Sequence, residues 1–390
     1  MTADKIITGA RIFDGEAWHD GKSLVVEDGK VVAIADSSYD AQTIDATGLL
    51  IVPGFVDLQV NGGGGVMFNN QPDVDGIACI CAAHAKFGTT ALMVTLITDT
   101  PEINAKAVEA GIKAQATNVP GFLGLHFEGP HLSLSRKGTH DPALIRPMDD
   151  SDQQRLLGCK QSLSHVLTTI APESVSAEQV TSLSQAGIIV SLGHTDATYA
   201  MAAHYASAGA SMVTHLFNAM SQLGNREPGL VGAGLHENAF HCGLIADGFH
   251  VDPVSMALAL NAKKGPARIF LVTDAMSTIG TDDTGFELNE RQVYRKDGRL
   301  TLADGTLAGA DIDMLSCVRF VHQRIGLPLE EALRMASVYP AQAIKADTKG
   351  RLLAGYDADF VLLNENLSIR STWIGGRAVF NAASSENGKS

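Results

Sequence analysis

From residue 53 to residue 349 one pattern repeats: a short apolar run, then a longer stretch whose apolar positions recur at helical spacing. The runs are Gly54–Val60, Thr90–Ile97, Phe122–Phe127, Val166–Ile170, Ile188–Leu192, Met212–Leu216, Cys242–Ala246 and Ile269–Thr273. Continuous apolar runs of this length fit strands buried on both faces, as in a parallel sheet. The intervening "DVDGIACICAAHAKFG" and "TPEINAKAVEAGIKAQA" have helical periodicity and stop at glycine or polar breaks. Eight such units predict an α/β fold, a (β/α)8 TIM-type barrel over residues 53–349. A doubly wound open sheet is the alternative, but no GxGxxG follows the first run.

The pattern changes at both ends. Residues 1–52 and 350–390 carry short β-rich runs broken by Asp-Gly and Gly turns, such as "KSLVVEDGKVVAIA" and "STWIGGRAVF". Neither end can bury a core alone, so the two are expected to pair into one small β-sandwich domain. The final "NAASSENGKS" reads as a frayed tail. After the eighth run, residues near 285–308 read as a β-hairpin insertion that covers the barrel mouth. In "PGFVDLQVNGGGG", Val56, Leu58 and Val60 alternate with Asp57, Gln59 and Asn61, which predicts three polar groups on one face at a strand end.

Composition narrows the class. The chain has 390 residues, 45% hydrophobic and 18% charged, with no apolar run long enough to span a bilayer. The start lacks the basic and apolar regions of a secretion signal. Five cysteines without a disulfide or zinc-site spacing point to a reducing cytoplasm. The net charge of −14, with scattered acids, argues against nucleic acid and anionic membranes as partners. An anionic substrate would therefore need a local cluster of cations.

Barrel enzymes keep their chemistry at the C-terminal ends of the strands. Run three ends in "GLHFEGPH", giving His126 and Glu128; run five ends in "SLGHT", giving His194; run six ends in "VTHLFNAM", giving His215; run eight ends in "LVTDAM", giving Asp274. Glu128, His194 and His215 make a His₂Glu metal set with Asp274 as attendant general base. His126 is a rival ligand, better placed to support Glu128 from the same strand. His84 and His204 fall within helical segments and are assigned to packing or the surface.

The motifs "PGFVD", "HFEGP", "KGTH", "LGHT", "THLFNAM" and "VTDAM", in this order over nearly the whole chain, resemble the amidohydrolase superfamily. Within it they resemble the N-acetylglucosamine-6-phosphate deacetylases. The resemblance implies hydrolysis of the substrate acetamide to glucosamine-6-phosphate and acetate. It implies one divalent metal ion per chain, zinc first, with iron or another transition metal as alternatives. Much of the superfamily carries His-x-His where this chain has Gln59 and Asn61, and those histidines bind a second ion. Amides are poor ligands for such ions, so a single-metal site is expected. By resemblance, His140 donates to the acetyl oxygen, with Thr139 beside it. Arg226 and His250 match phosphate contacts, the backbone at Asn218 and Ala219 matches sugar-phosphate contacts, and Leu307, Ala308 and Gly309 match a segment that closes over the phosphosugar. A homodimer is also implied, with Arg226 acting in cis or in trans. Rivals are the galactosamine epimer as substrate, a two-metal dipeptidase or dihydroorotase, and a non-catalytic scaffold. The fourth run ends in "TTIAPE" without the bridging lysine that the two-metal enzymes use, and a scaffold has no need of an intact ligand set with its base.

Overall fold

The apolar runs become strands because each is buried along nearly its whole length. The structure, a computed structural model, describes residues 2–36, 39–288 and 291–382. One eight-stranded parallel sheet contains β1 (Phe55–Val60), β2 (Thr89–Ile97), β3 (Phe122–Glu128), β4 (Val166–Ile170), β5 (Ile189–Leu192), β6 (Met212–Val213), β7 (His241–Ile245) and β8 (Ile269–Val272), neighbours in chain order. Just beyond β8 the sheet closes on β1. Val60 bridges Ala275, the Asn61 N–H donates to the Ala275 carbonyl (2.9 Å), and the Asp274 N–H donates to the Gln59 carbonyl (3.0 Å). The result is a barrel, with β6 shorter than its apolar run because the chain turns out of the sheet before His215.

The strict alternation expected in the first strand fails. Asp57 pairs with Leu92 and Val60 with Val94, so three steps of β1 match two of β2. This is a bulge, an extra residue of the kind found at barrel rims beside active sites. Val56 and Leu58 pack inside the barrel while Val60 packs outside against the helices. The Asp57 carboxylate accepts from the Thr273 hydroxyl (2.6 Å) and N–H (3.3 Å), tying β1 to the end of β8. Gln59 and Asn61 are left to reach the mouth.

The helices start where the sequence supplies caps. Asp73 caps Val74–Ala85 and Thr100 caps Pro101–Ala116, whose first residue is the proline that suits that position. Asp149 and Ser176 form capping boxes ahead of Asp150–Ser162 and Ala177–Gln185.

Both chain ends build the flanking sheets. Leu50–Pro53 runs antiparallel to Phe360–Leu363 inside a six-stranded sheet, and Thr2–Thr8 lies within a four-stranded one. Ile7, Ile12, Leu24, Ile51, Phe360 and Leu362 share a core between them. The end of the expected frayed tail, 383–390, lies outside the described residues. The insertion near 285–308 is more than a hairpin: four antiparallel strands, Gly285–Leu288, Arg291–Lys296, Arg299–Thr301 and Leu307–Ala310, with residues 289–290 outside the description. Asp297 and Gly298 both have positive φ (52° and 72°), the conformation a tight two-residue hairpin turn needs. Leu288, Val293, Leu300 and Ala308 pack with Met67, Ile97 and Met276, which seats this sheet over the mouth.

Candidate metal centre

Glu128 closes β3, and His194, His215 and Asp274 each lie two residues past the ends of β5, β6 and β8. The last three hold left-handed backbone, with φ of 48°, 28° and 51°. Non-glycine residues adopt that region at a cost of about 1–2 kcal/mol each, and such strain concentrates at functional sites. The turn aims each side chain inward rather than along the strand. Phe217 and Ala219 continue the same tight path through "THLFNAM" (φ 79° and 49°). Gly129, directly after Glu128, has φ 85°, and a Cβ there would lie 2.2 Å from the Thr98 hydroxyl. Only glycine lets the chain leave Glu128 in that direction.

Glu128, His194 and His215 place their ligand atoms within 4.8 Å of one another, all buried. The Glu128 Oε1 lies 3.2 Å from His194 Nε2 and 3.0 Å from His215 Nε2, and the two ring nitrogens are 3.1 Å apart. His194 Nδ1 lies 2.8 Å from the Arg136 carbonyl, so it carries the proton and Nε2 presents a lone pair. Lone pairs and a carboxylate this close repel unless a cation sits among them, and one ring proton can relieve only part of that. Two imidazoles and a carboxylate are a donor set that suits zinc and its neighbours. The residues fit a divalent ion.

The two amides answer for the missing histidines. Gln59 Nε2 donates to both Glu128 oxygens (3.1 and 3.2 Å) and to Asp274 Oδ1 (3.2 Å). Asn61 Nδ2 donates to Asp274 Oδ1 at 2.7 Å. The two facing carboxylates are hydrogen-bonded by neutral N–H donors where a second cation would otherwise sit. Burial and the Glu128 charge push Asp274 up to about 6. Burial also works against ionising Glu128, but bonds and charge from His194 and His215 hold it well below the usual carboxylate range. The same Glu128 contacts raise His215 against the effect of burial.

A cavity of about 250 Å³ lies over this cluster, lined by Glu128, Thr139, His140, His194, His215, Asn218, Ala219, His250, Asp274, Leu307 and Gly309 among the expected residues. His140 accepts at Nδ1 from the Thr98 N–H (3.4 Å) and sits 2.7 Å from the Thr98 hydroxyl, which leaves Nε2–H free to donate. Burial and the nearby His194 drop His140 to about 3, so the ring is neutral. His250 Nδ1 is held by Asp247 at 2.6 Å.

Three expectations shift. Arg226 is exposed and does not line the cavity of the single chain. Ala308 is buried in the insertion core rather than facing the cavity. The Asn218 N–H is taken by the His215 carbonyl (2.9 Å), whereas the Ala219 N–H has no partner among the described residues. His126 is not a ligand: it bonds Thr95 (3.2 Å) and Thr169 (2.8 Å), and burial drops it to about 4. His84 is buried against the Gly62 carbonyl (2.9 Å), and His204 is exposed. Sequence reasoning missed Met276, Thr306 and Ile97 in the lining, and Arg291, which donates to the Thr139 carbonyl. The Arg136 carbonyl that fixes His194 was also missed; a backbone group leaves no trace in residue identity.

Comparison with known proteins agrees with this geometry. The amidohydrolase family model matches residues 50–379. N-acetylgalactosamine-6-phosphate deacetylase of Shewanella sp. (strain ANA-3) is 39% identical, covering 97% of this chain and 96% of its own. Human N-acetylglucosamine-6-phosphate deacetylase is 35% identical, covering 98% and 95%. The crystal structure of N-acetylglucosamine-6-phosphate deacetylase from Pasteurella multocida superposes with a TM-score of 0.91 at 35% identity, over 96% of this chain and 99% of that one. With barrel, ligand set and family model in agreement over most of its length, the chain belongs to the amidohydrolase family.

Proposed function

We propose that this chain hydrolyses the acetamide of N-acetylglucosamine-6-phosphate to glucosamine-6-phosphate and acetate, using one divalent ion, zinc first, held by Glu128, His194 and His215. The observation that carries this is the convergence of those three ligands with Asp274, tied together through the Gln59 amide. When bound, zinc lowers the pKa of a water to about 7. Asp274, at about 6, is ionised at neutral pH, so it takes a proton from the attacking water and gives it to the departing amine. His140 Nε2–H donates to the acetyl oxygen as charge builds there. The left-handed turns at His194, His215 and Asp274 fix these groups before substrate arrives.

The phosphate falls to His250, steadied by Asp247, and to the Ala219 N–H. Arg226 acts in trans, from the partner of a homodimer. Its loop carries Leu223, 60% exposed, beside an apolar hollow with Pro228 and Leu235, a surface suited to a second copy. The same reading divides the chain at 52/53 and 349/350 and places the protein in the cytoplasm, where its five free cysteines stay reduced. Among the described residues no helix is long and apolar enough to cross a membrane.

The Shewanella relative favours a second reading, the galactosamine epimer as substrate. Acetate release from the two epimeric phosphosugars decides between them. Turnover of the glucosamine form with kcat/KM at least tenfold above the galactosamine form supports the first reading, and the reverse ratio the second. Release from neither overturns both.

A further inference from the structure

At the end of the barrel opposite the mouth, a second cavity of about 390 Å³ opens where β4, β5 and β7 begin. Lys160, His165, Ser184, Ser211, His241 and Lys345 contribute its polar side chains, with Ser164 and Gln342 at its edge, and no aspartate or glutamate lines it. That is unusual on a chain of net charge −14. The carboxylate acting on His165 is the exposed Asp347, outside the lining.

His165 and Lys160 bond backbone groups of Ile344 and Ser164, and the other donors of the lining have little to receive them. His241 Nδ1 accepts from the Arg268 N–H at 3.3 Å, so the ring proton sits on Nε2, which has no acceptor among the described residues. The hydroxyls of Ser184 and Ser211 and the Lys345 ammonium have no partner there either. Lys160 is fixed at the edge by the Ser164 carbonyl (2.6 Å). The local field runs the same way: burial, Lys263 and Arg268 drop His241 to about 4, and burial and Lys160 lower His165. No carboxylate lines the cavity beside these cations; Asp347 and Glu237 act from outside it. A barrel's N-terminal face usually serves stability alone, but stability gains nothing from unpaired donors around an open space.

We propose that this cavity binds a phosphate dianion, free or as the phosphate of a small phosphomonoester. A phosphate supplies several strong acceptors to fixed N–H and O–H donors and a double charge to lysines. The volume lies within the range of small-ligand pockets and exceeds what one monatomic ion would fill. The site is separate from the metal centre and does not depend on which reaction runs there.

The test uses the full chain and titration calorimetry at pH 7 with inorganic phosphate and, separately, glucose-6-phosphate. Lys345 has a left-handed backbone (φ 58°), which asparagine tolerates, so Lys345→Asn removes the charge without disturbing the turn. Ser211→Ala removes a second donor. The wild type is expected to bind inorganic phosphate at a site that the double variant weakens tenfold or more, with initial rates of the metal-loaded enzyme within twofold of wild type. Equal weakening for glucose-6-phosphate assigns the site to the phosphate group whatever carries it; weakening for inorganic phosphate alone assigns it to the free ion. Isotherms that are the same for wild type and double variant overturn the proposal.

Discussion

Gly309→Ala tests whether the insertion holds the carboxylate proposed as the base in place. Gly309 has φ +66°, and a Cβ there would lie 2.4 Å from Met276 Cε, 2.8 Å from its Cγ and 3.0 Å from the Asp274 carbonyl oxygen. The left-handed backbone costs alanine about 1–2 kcal/mol relative to glycine. Overpacking against Met276, which is boxed in by Ile97 and Leu288, adds about 1–3 kcal/mol. Part of the load falls on backbone that cannot rotate away, because the Ala310 N–H donates to that same Asp274 carbonyl at 3.0 Å. The close approach that glycine permits is thus to the residue carrying the proposed base. Unfolding free energy is expected to fall by roughly 2–5 kcal/mol. A shift of Asp274 by a few tenths of an ångström lowers kcat by about tenfold, since a displacement of 1 Å costs on the order of 100-fold.

Urea unfolding, metal content and steady-state kinetics measure the three effects separately. A Met276→Ala background removes the side-chain clash and leaves the backbone contact, so the double-mutant cycle apportions the loss. Stability should partly recover in that background and kcat should stay low. Wild-type stability and kcat in Gly309→Ala would refute the reasoning. Full recovery of kcat by Met276→Ala would place the whole effect in the side chain and remove the link to Asp274.

Asp274→Asn keeps the hydrogen bonds from Asn61 and Gln59 available to its oxygen but cannot carry a proton; metal content should hold while acetate release falls by more than the 10²–10⁴-fold typical of one proton transfer. Loss of metal alongside activity would make it a ligand instead. Because Asp274 must be ionised and burial raises it to about 6, kcat/KM should decline as pH drops through that value, and a profile flat from pH 7 to 5 would remove it as the base. Elemental analysis of metal-replete protein should give one equivalent per chain; two equivalents, both needed for activity, would contradict the role given to Gln59 and Asn61. His126 is buried and lowered from 6.5 to about 4, so the unfolded chain binds more protons below pH 6.5 and stability is lost between about 6.5 and 4, by roughly 3 kcal/mol at full extent. Urea unfolding of the metal-free protein at pH 7 and pH 5 should show that loss, and His126→Gln should reduce it; an unchanged slope would assign the loss to other groups.

The barrel was legible because burial on both faces leaves long apolar runs, and the Glu128, His194 and His215 cluster because strand ends are few, with His126 as the one rival that run three offered beside Glu128. What escaped was geometry that residue identity does not encode. The bulge in β1 adds one residue between Asp57 and Val60, and nothing in "FVDLQVN" marks it. The sequence showed Gln59 and Asn61 as an absence of histidine; that they act as donors to two carboxylates depends on how close β3 and β8 bring Glu128 and Asp274. Arg226 was expected at the phosphate from the resemblance, yet its side chain is exposed in the single chain. A loop position after a strand fixes the end of the barrel and not the direction of the side chain.

On the proposed single-metal reading, the amides also occupy the place where His-x-His would hold a second ion. Glu128 and Asp274 both touch the Gln59 Nε2, so the two carboxylates face each other across a single amide. The contacts with His194 and His215 on its side hold the Glu128 carboxyl well below the usual carboxylate range. Asp274 receives only neutral donors from Asn61 and Gln59, and with burial it rises to about 6. On the proposed mechanism, one carboxylate is thereby suited to hold the ion and the other to carry a proton near neutrality. A second cation at Gln59 and Asn61 would lower Asp274 as well and erase that difference. Histidine at both positions is then expected to add metal and leave a weaker base, with acetate release no faster than wild type; a variant that binds two ions and turns over tenfold faster would show that the amides do not set the base.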